Sequence, residues 1–200
     1  EENFNGYFGS TDATFTLPEA FARYGIEAEG GYGYEKFDAR FDISKNPNEA
    51  NRFGYVVEIN PADPTSVPVK HTALGRFKHE NAALTLAADG RVVVYLGDDE
   101  RGEFLYRWVS AAPYVEGGDT SRLLQDGQLF VAVFADDMTG KWVALTPEAT
   151  GMTAAEIAIH TRMAGSAVGA TTMDRPEWVA VNPIAVEAYC ALTNNTNRGV

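Results

Sequence analysis

At 200 residues, with 45% hydrophobic and 22% charged side chains, the chain has globular composition and enough length for one substantial core. Its net charge of −12 argues against a nucleic-acid or anionic-membrane partner, because such surfaces need clustered Lys and Arg. No run approaches the roughly 18 apolar residues of a membrane span, and the single cysteine, Cys190, excludes an internal disulfide.

The chain begins at Glu1 without a methionine or signal peptide and stops at Gly199-Val200, soon after an apolar strand. These ends lead us to expect an interior piece of a longer protein, with any targeting segment outside it. Pro18 to Tyr24 predicts a short helix that Gly25 stops. Phe53 to Asn60 is β-branched and aromatic and reads as a strand, closed by the turn Pro61-Ala62-Asp63-Pro64. Leu84 to Leu96 divides around Asp89-Gly90, a strong hairpin signal. Phe104 to Val109 alternates, with Phe104, Tyr106 and Trp108 on one face. A further hairpin is expected from Leu129–Phe134 through Asp136–Gly140 to Lys141–Leu145. Thr153 to Val168 predicts one helix, capped by a Thr153/Glu156 box, with Ile157, His160 and Met163-Ala164 on the face that packs on a sheet.

Two segments look like copies of one device. Arg76-Phe77-Lys78-His79-Glu80 and Asp174-Arg175-Pro176-Glu177-Trp178 each place cations within four residues of a glutamate. Each then runs into an apolar strand, a turn, a second apolar run and a polar cluster, Gly97-Asp98-Asp99-Glu100 in one case and Thr193-Asn194-Asn195 in the other. The spacing of Glu80 and Glu177, divided by a unit of roughly 40–50 residues, gives two propeller blades. Short, evenly spaced strands with Gly and Pro turns agree. We therefore expect an all-β chain, part of a β-propeller with short helical insertions. About three to four blades fit in the chain, as an incomplete portion of one propeller domain without an internal boundary. A sandwich or another barrel stays open.

Glutamates at strand heads on different blades would converge near the axis and repel unless a cation neutralised them. Hard cations take such oxygen ligands. Arg175, two residues before Glu177, faces the same side of a strand and suits a phosphate oxygen. Metals paired with a cation are what phosphoryl transfer needs. Blander readings stand beside these. Arg175 and Glu177 also fit a structural ion pair, Lys78-His79-Glu80 a charged loop and Asp98-Asp99-Glu100-Arg101 a solvated turn. His71 and His160 lack ligand spacing, and Cys190 reads as a small buried apolar residue. The chain carries no Gly-rich phosphate loop and no Gly-x-Ser-x-Gly elbow.

Four motifs in order, Glu1-Glu2-Asn3-Phe4-Asn5-Gly6-Tyr7-Phe8, Gly75-Arg76-Phe77-Lys78-His79-Glu80, Tyr95-Leu96-Gly97-Asp98-Asp99-Glu100-Arg101 and Asp174-Arg175-Pro176-Glu177-Trp178, resemble the PhoX-type alkaline phosphatases. Val56–Pro61 and Leu192–Asn195 are similar to that family too, so the resemblance runs along essentially the whole chain. It implies the six-bladed propeller, twin-arginine export to the periplasm or beyond, and hydrolysis of small phosphomonoesters at a cluster of iron (Fe3+) and calcium. It implies Glu80 and Glu177 as metal ligands and Arg175 as the catalytic, phosphate-binding arginine. Glu1 is implied as a ligand beside an iron-binding cysteine that precedes this segment in the family, a position Cys190 does not match. Asp98, Asp99 and Glu100 lie in a family motif without an assigned role. A monomer is expected, with neither a nucleic-acid surface nor a membrane span, and no turnover from these residues alone. The competing readings are a calcium-dependent propeller hydrolase of lactones or phosphotriesters, with Asn194 or Asn195 as ligand, and a non-catalytic propeller that binds partners.

Overall fold

The computed structural model describes residues 1–185 and 187–196. The Gly199-Val200 end noted in the sequence lies outside the described residues. The chain divides into two compact units, Glu1–Gly54 and Tyr55–Val200.

The first unit is built from short turns of helix around aromatic side chains. Helix α1, Glu19–Arg23, starts after extended Pro18 and ends before Gly25, whose φ of 67° only glycine adopts readily. Four 3-10 turns, Phe4–Tyr7, Tyr34–Lys36, Ala39–Phe41 and Glu49–Arg52, complete it. No strand forms among its described residues, and an isolated bridge joins Gly9 and Asp42. Phe4, Phe8, Phe21, Tyr24, Ile26 and Ile43 are buried together. Asp42 is enclosed with them and accepts hydrogen bonds from the Ser44 and Thr11 hydroxyls, while Lys45 Nζ lies 2.9 Å away.

The second unit carries the sheets. Strands β1 (Val56–Glu58) and β2 (Val69–His71) form a two-stranded ladder, in which buried His71 contacts the Glu58 carboxylate at 2.7 Å. Strands β3 (Ala83–Leu86), β4 (Arg91–Gly97), β5 (Leu105–Pro113), β6 (Gly127–Phe134) and β7 (Gly140–Ala144) follow as an antiparallel meander in chain order. The Asp89-Gly90 turn makes the first hairpin, with Gly90 at φ 81°. Helices α2 (Pro147–Thr150), α3 (Ala154–Ile159) and α4 (Thr161–Ala167) come next. The last ladder pairs β8 (Pro176–Val181) with β9 (Ala188–Leu192).

The alternation read in β5 sets the core. Phe104, Tyr106 and Trp108 pack with Val94, Leu96, Leu129 and Val131, and Ile157 and Ala164 from α3 and α4 close that face. The opposite face packs Leu105 and Ala132 against Met173 and Val179, with half-buried Cys190 beside them.

Three expectations change here. The chain is not an all-β piece of a propeller. Among the described residues its sheets have two, five and two strands, none closes, and helices and a strandless unit accompany them. The resemblance between the two charged segments does not extend to equivalent sheets. Connections without an intervening helix join β3 through β7 into one meander, whereas three helices separate β7 from β8, which among the described residues pairs with β9. The helix expected over Thr153–Val168 is also two helices meeting at His160 (φ −111°, ψ 44°). The Thr153/Glu156 capping box forms as expected. The break follows from a distant demand, because the Thr161 hydroxyl accepts the backbone N–H of Arg76 at 2.8 Å.

Candidate functional site

The end of β4, the segment before β3 and the segment before β8 meet in one polar cluster. Gly97 allows this approach. A Cβ there would lie 2.3 Å from the Glu177 carbonyl oxygen and 2.4 Å from that of Pro176. After Gly97 the chain turns through Asp98-Asp99-Glu100. Asp99 N–H donates to the Lys78 carbonyl, and a bridge joins His79 and Asp98. On the other side Gly102 N–H donates to Met173, Met173 N–H donates to Glu103, and Arg101 bridges Asp174.

The expected solvated turn is instead a buried ionic layer. Asp98 is fully buried and receives Arg162 from α4 in a bidentate pair, Nε to Oδ2 at 2.8 Å and Nη2 to Oδ1 at 2.6 Å. The two charges neutralise one another where water cannot, as a buried pair must. The Lys78 ammonium, itself nearly buried, donates to Glu100 at 2.7 Å. Burial would raise the Glu100 pKa, but the hydrogen bonds from Lys78 and Arg101 N–H outweigh it and leave it lowered. His79 stacks on Phe77 at 3.8 Å and its Nε2 donates to the Gly75 carbonyl. Burial pushes its pKa down to about 3, so the ring is neutral at physiological pH.

Arg175 is the centre of the upper layer. Its φ of 53° is unusual for a side-chain-bearing residue, and β8 begins only at Pro176, so it does not share a strand face with Glu177 as expected. The guanidinium nevertheless reaches Glu177, with Nη2 3.2 Å from Oε1. Its main partner is Asp99. Nη2 donates to Oδ2 at 3.0 Å, and Nε lies 2.9 Å from Oδ1. That second contact is close enough for an ion pair, but its angle leaves buried Oδ1 without a hydrogen bond. The Asp99 hydrogen bond, with the charges of Asp99, Glu177 and Glu100, raises the Arg175 pKa further, so it stays cationic at any physiological pH. Glu177 Oε1 also accepts the Thr193 hydroxyl at 2.8 Å, and Asn195 donates to Asp174.

Of the residues singled out from sequence, Arg175 and Glu177 are therefore in contact. Half-buried Glu80 lies beside Asp99, with a carboxylate oxygen of each within 4.8 Å of the other. Glu1 belongs to the first unit, where its carboxylate accepts Gly54 N–H at 3.0 Å. Asp99, left without a role in its motif by the sequence, and Thr193, named there only within a polar cluster, are the further side chains of the cluster. Both lie in polar clusters that follow apolar strands, and that position was the available signal.

The donor set suits a hard cation: two carboxylates converge, and one buried oxygen has no hydrogen bond. His71 and His160 stand apart from these carboxylates. His71 contacts Glu58, and His160 ends α3.

No curated protein matches the chain. A family model described as alkaline phosphatase PhoX matches residues 1–200. A solved structure, Pseudomonas fluorescens PhoX in complex with vanadate, a transition state analogue, is 48% identical, with a TM-score of 0.94. That similarity covers 100% of this chain and 37% of the Pseudomonas protein's, so the chain spans well under half of that relative. On the match along its full length, the chain belongs to the PhoX alkaline phosphatase family.

Proposed function

We propose that residues 1–200 form part of the catalytic domain of an alkaline phosphatase that releases inorganic phosphate from extracellular phosphomonoesters. Support comes from the family membership and from vanadate, a transition-state analogue, in the Pseudomonas relative. The observation that carries the reading is a fixed, permanently cationic Arg175 beside converging carboxylates. Phosphoryl transfer needs that pairing, since its catalysis is mostly positioning and charge stabilisation.

Glu80 and Glu177 would hold hard cations, for which we propose calcium and iron, and Glu1 is a further proposed ligand. When bound, such ions supply Lewis-acid polarisation of a phosphoryl oxygen and a site for an oxygen nucleophile. Arg175 donates to the phosphoryl oxygens and stabilises the negative charge that builds on them. Its charge does not depend on pH in the working range, so any pH profile arises elsewhere. We propose secretion as the setting, on family grounds. No helix among the described residues is long and apolar enough to cross a membrane.

The test is made in the natural full-length protein with p-nitrophenyl phosphate and calcium present. Glu177→Gln is expected to lose bound metal and turnover together, and wild-type values for both would remove the metal-site reading. Arg175→Ala is expected to lower kcat/KM about a hundredfold or more with metals retained.

A further inference from the structure

Arg side chains have many rotamers to lose, and Arg175 is still about a quarter exposed. Something must hold it if it is to meet a phosphoryl group in one orientation. We propose that Asp99 is the positioning residue for Arg175, an inference that rests on the phosphatase reading above.

The two partners are unequal in rigidity. Asp99 is buried, and its backbone N–H is bonded to the Lys78 carbonyl. The neighbouring Asp98 is pinned by the bidentate pair with Arg162 and also accepts Lys78 N–H at 3.2 Å. The turn is therefore fixed from α4 and from the segment before β3. Arg175, by contrast, sits at φ 53° ahead of its strand. A backbone in that region is strained and persists where its surroundings hold it.

The way the guanidinium is held supports the same role. Asp99 takes the Nε–Nη2 edge, and Glu177 lies against Nη2. Among the described residues Nη1 has no partner. The corner carrying Nη1 is thus left for an anion, in an orientation that Asp99 sets. A planar fork bound along one edge cannot rotate about its last torsions without breaking both contacts. Asp99 does not need to touch the phosphate to matter.

The experiment is a double-mutant cycle in the natural full-length, metal-loaded protein. The variants are Asp99→Ala, Arg175→Ala and the pair, with Asp99→Asn as a size-conserving control. KM and kcat for p-nitrophenyl phosphate, the affinity for inorganic phosphate by calorimetry, and bound calcium and iron are measured. Asp99→Ala is expected to weaken phosphate about tenfold or more with metal content unchanged. In the Arg175→Ala background the same change is expected to have no further effect. Asp99→Asn is expected to lie between Ala and wild type. Additive effects, or unchanged phosphate affinity in Asp99→Ala, overturn the proposal. Loss of bound metal in Asp99→Asn overturns it as well, because Asp99 is then a ligand first. If Asp99→Ala does not fold, Asp99→Asn and Asp99→Asn/Arg175→Ala carry the same comparison. A wild-type protein that binds phosphate but does not turn over the ester overturns the phosphatase reading alone, and the coupling is still read from phosphate affinity.

Discussion

Single side chains in this protein do two different jobs with the same chemistry. Asp98 and Asp99 are adjacent, yet one is locked to Arg162 inside the fold and the other meets Arg175 at the edge of the cluster. Removing one member of a buried pair strands the other charge, at a cost of about 3–5 kcal/mol. Arg162→Met is therefore expected to lower stability by that order in urea unfolding, more than Arg175→Ala, whose site is partly solvated. Asp42 gives the acid limit. Burial alone would raise its pKa, but hydrogen bonds from Ser44, Thr11 and Lys45 prevail and hold it well below the usual carboxylate range. A carboxylate depressed in the folded state stabilises it above the unfolded value of about 3.9, and that contribution fades as pH falls further. Asp42→Asn is expected to flatten the decline of the thermal midpoint between about pH 5 and pH 2 and to lower the midpoint at neutral pH.

At the level of elements, the local signals were legible and the joints between them were not. Asp89-Gly90 encodes its hairpin because glycine takes φ 81° without strain, and the Thr153/Glu156 box caps α3 from within four residues. Thr153→Ala is expected to cost about 1 kcal/mol, readable as a shift in the denaturant midpoint. The break at His160 had no such local mark, since Thr161 is drawn to Arg76, far away in sequence. Gly97 is the joint nearest the candidate site. Its missing side chain lets β4 touch the backbone of Pro176 and Glu177. Gly97→Ala is expected to push the two apart, with about 1–3 kcal/mol lost and phosphate affinity reduced alongside. Calorimetry of the variant checks both, and wild-type phosphate affinity would separate the joint from the site.

For the molecule as a whole, 200 residues span 37% of the Pseudomonas relative, and this sets what they do alone. Calcium takes six to eight oxygens. In the second unit Asp99 Oδ2 and Glu177 Oε1 are already engaged by Arg175 and Thr193. The isolated chain is accordingly expected to show no turnover of p-nitrophenyl phosphate, and measured activity would refute a site shared with further residues. Composition, strand alternation, turns, caps and four ordered motifs were enough to locate the main hairpins, the α1 and α3 helices and the family, because each acts over a few residues or by direct likeness. Which strands share a sheet, and that none closes among the described residues, depended on how hairpins and intervening helices compete for sheet edges. The pairing of Asp99 with Arg175 was decided the same way. Those residues are distant in sequence, and only the packing of β4 against β8 brings their charges within reach.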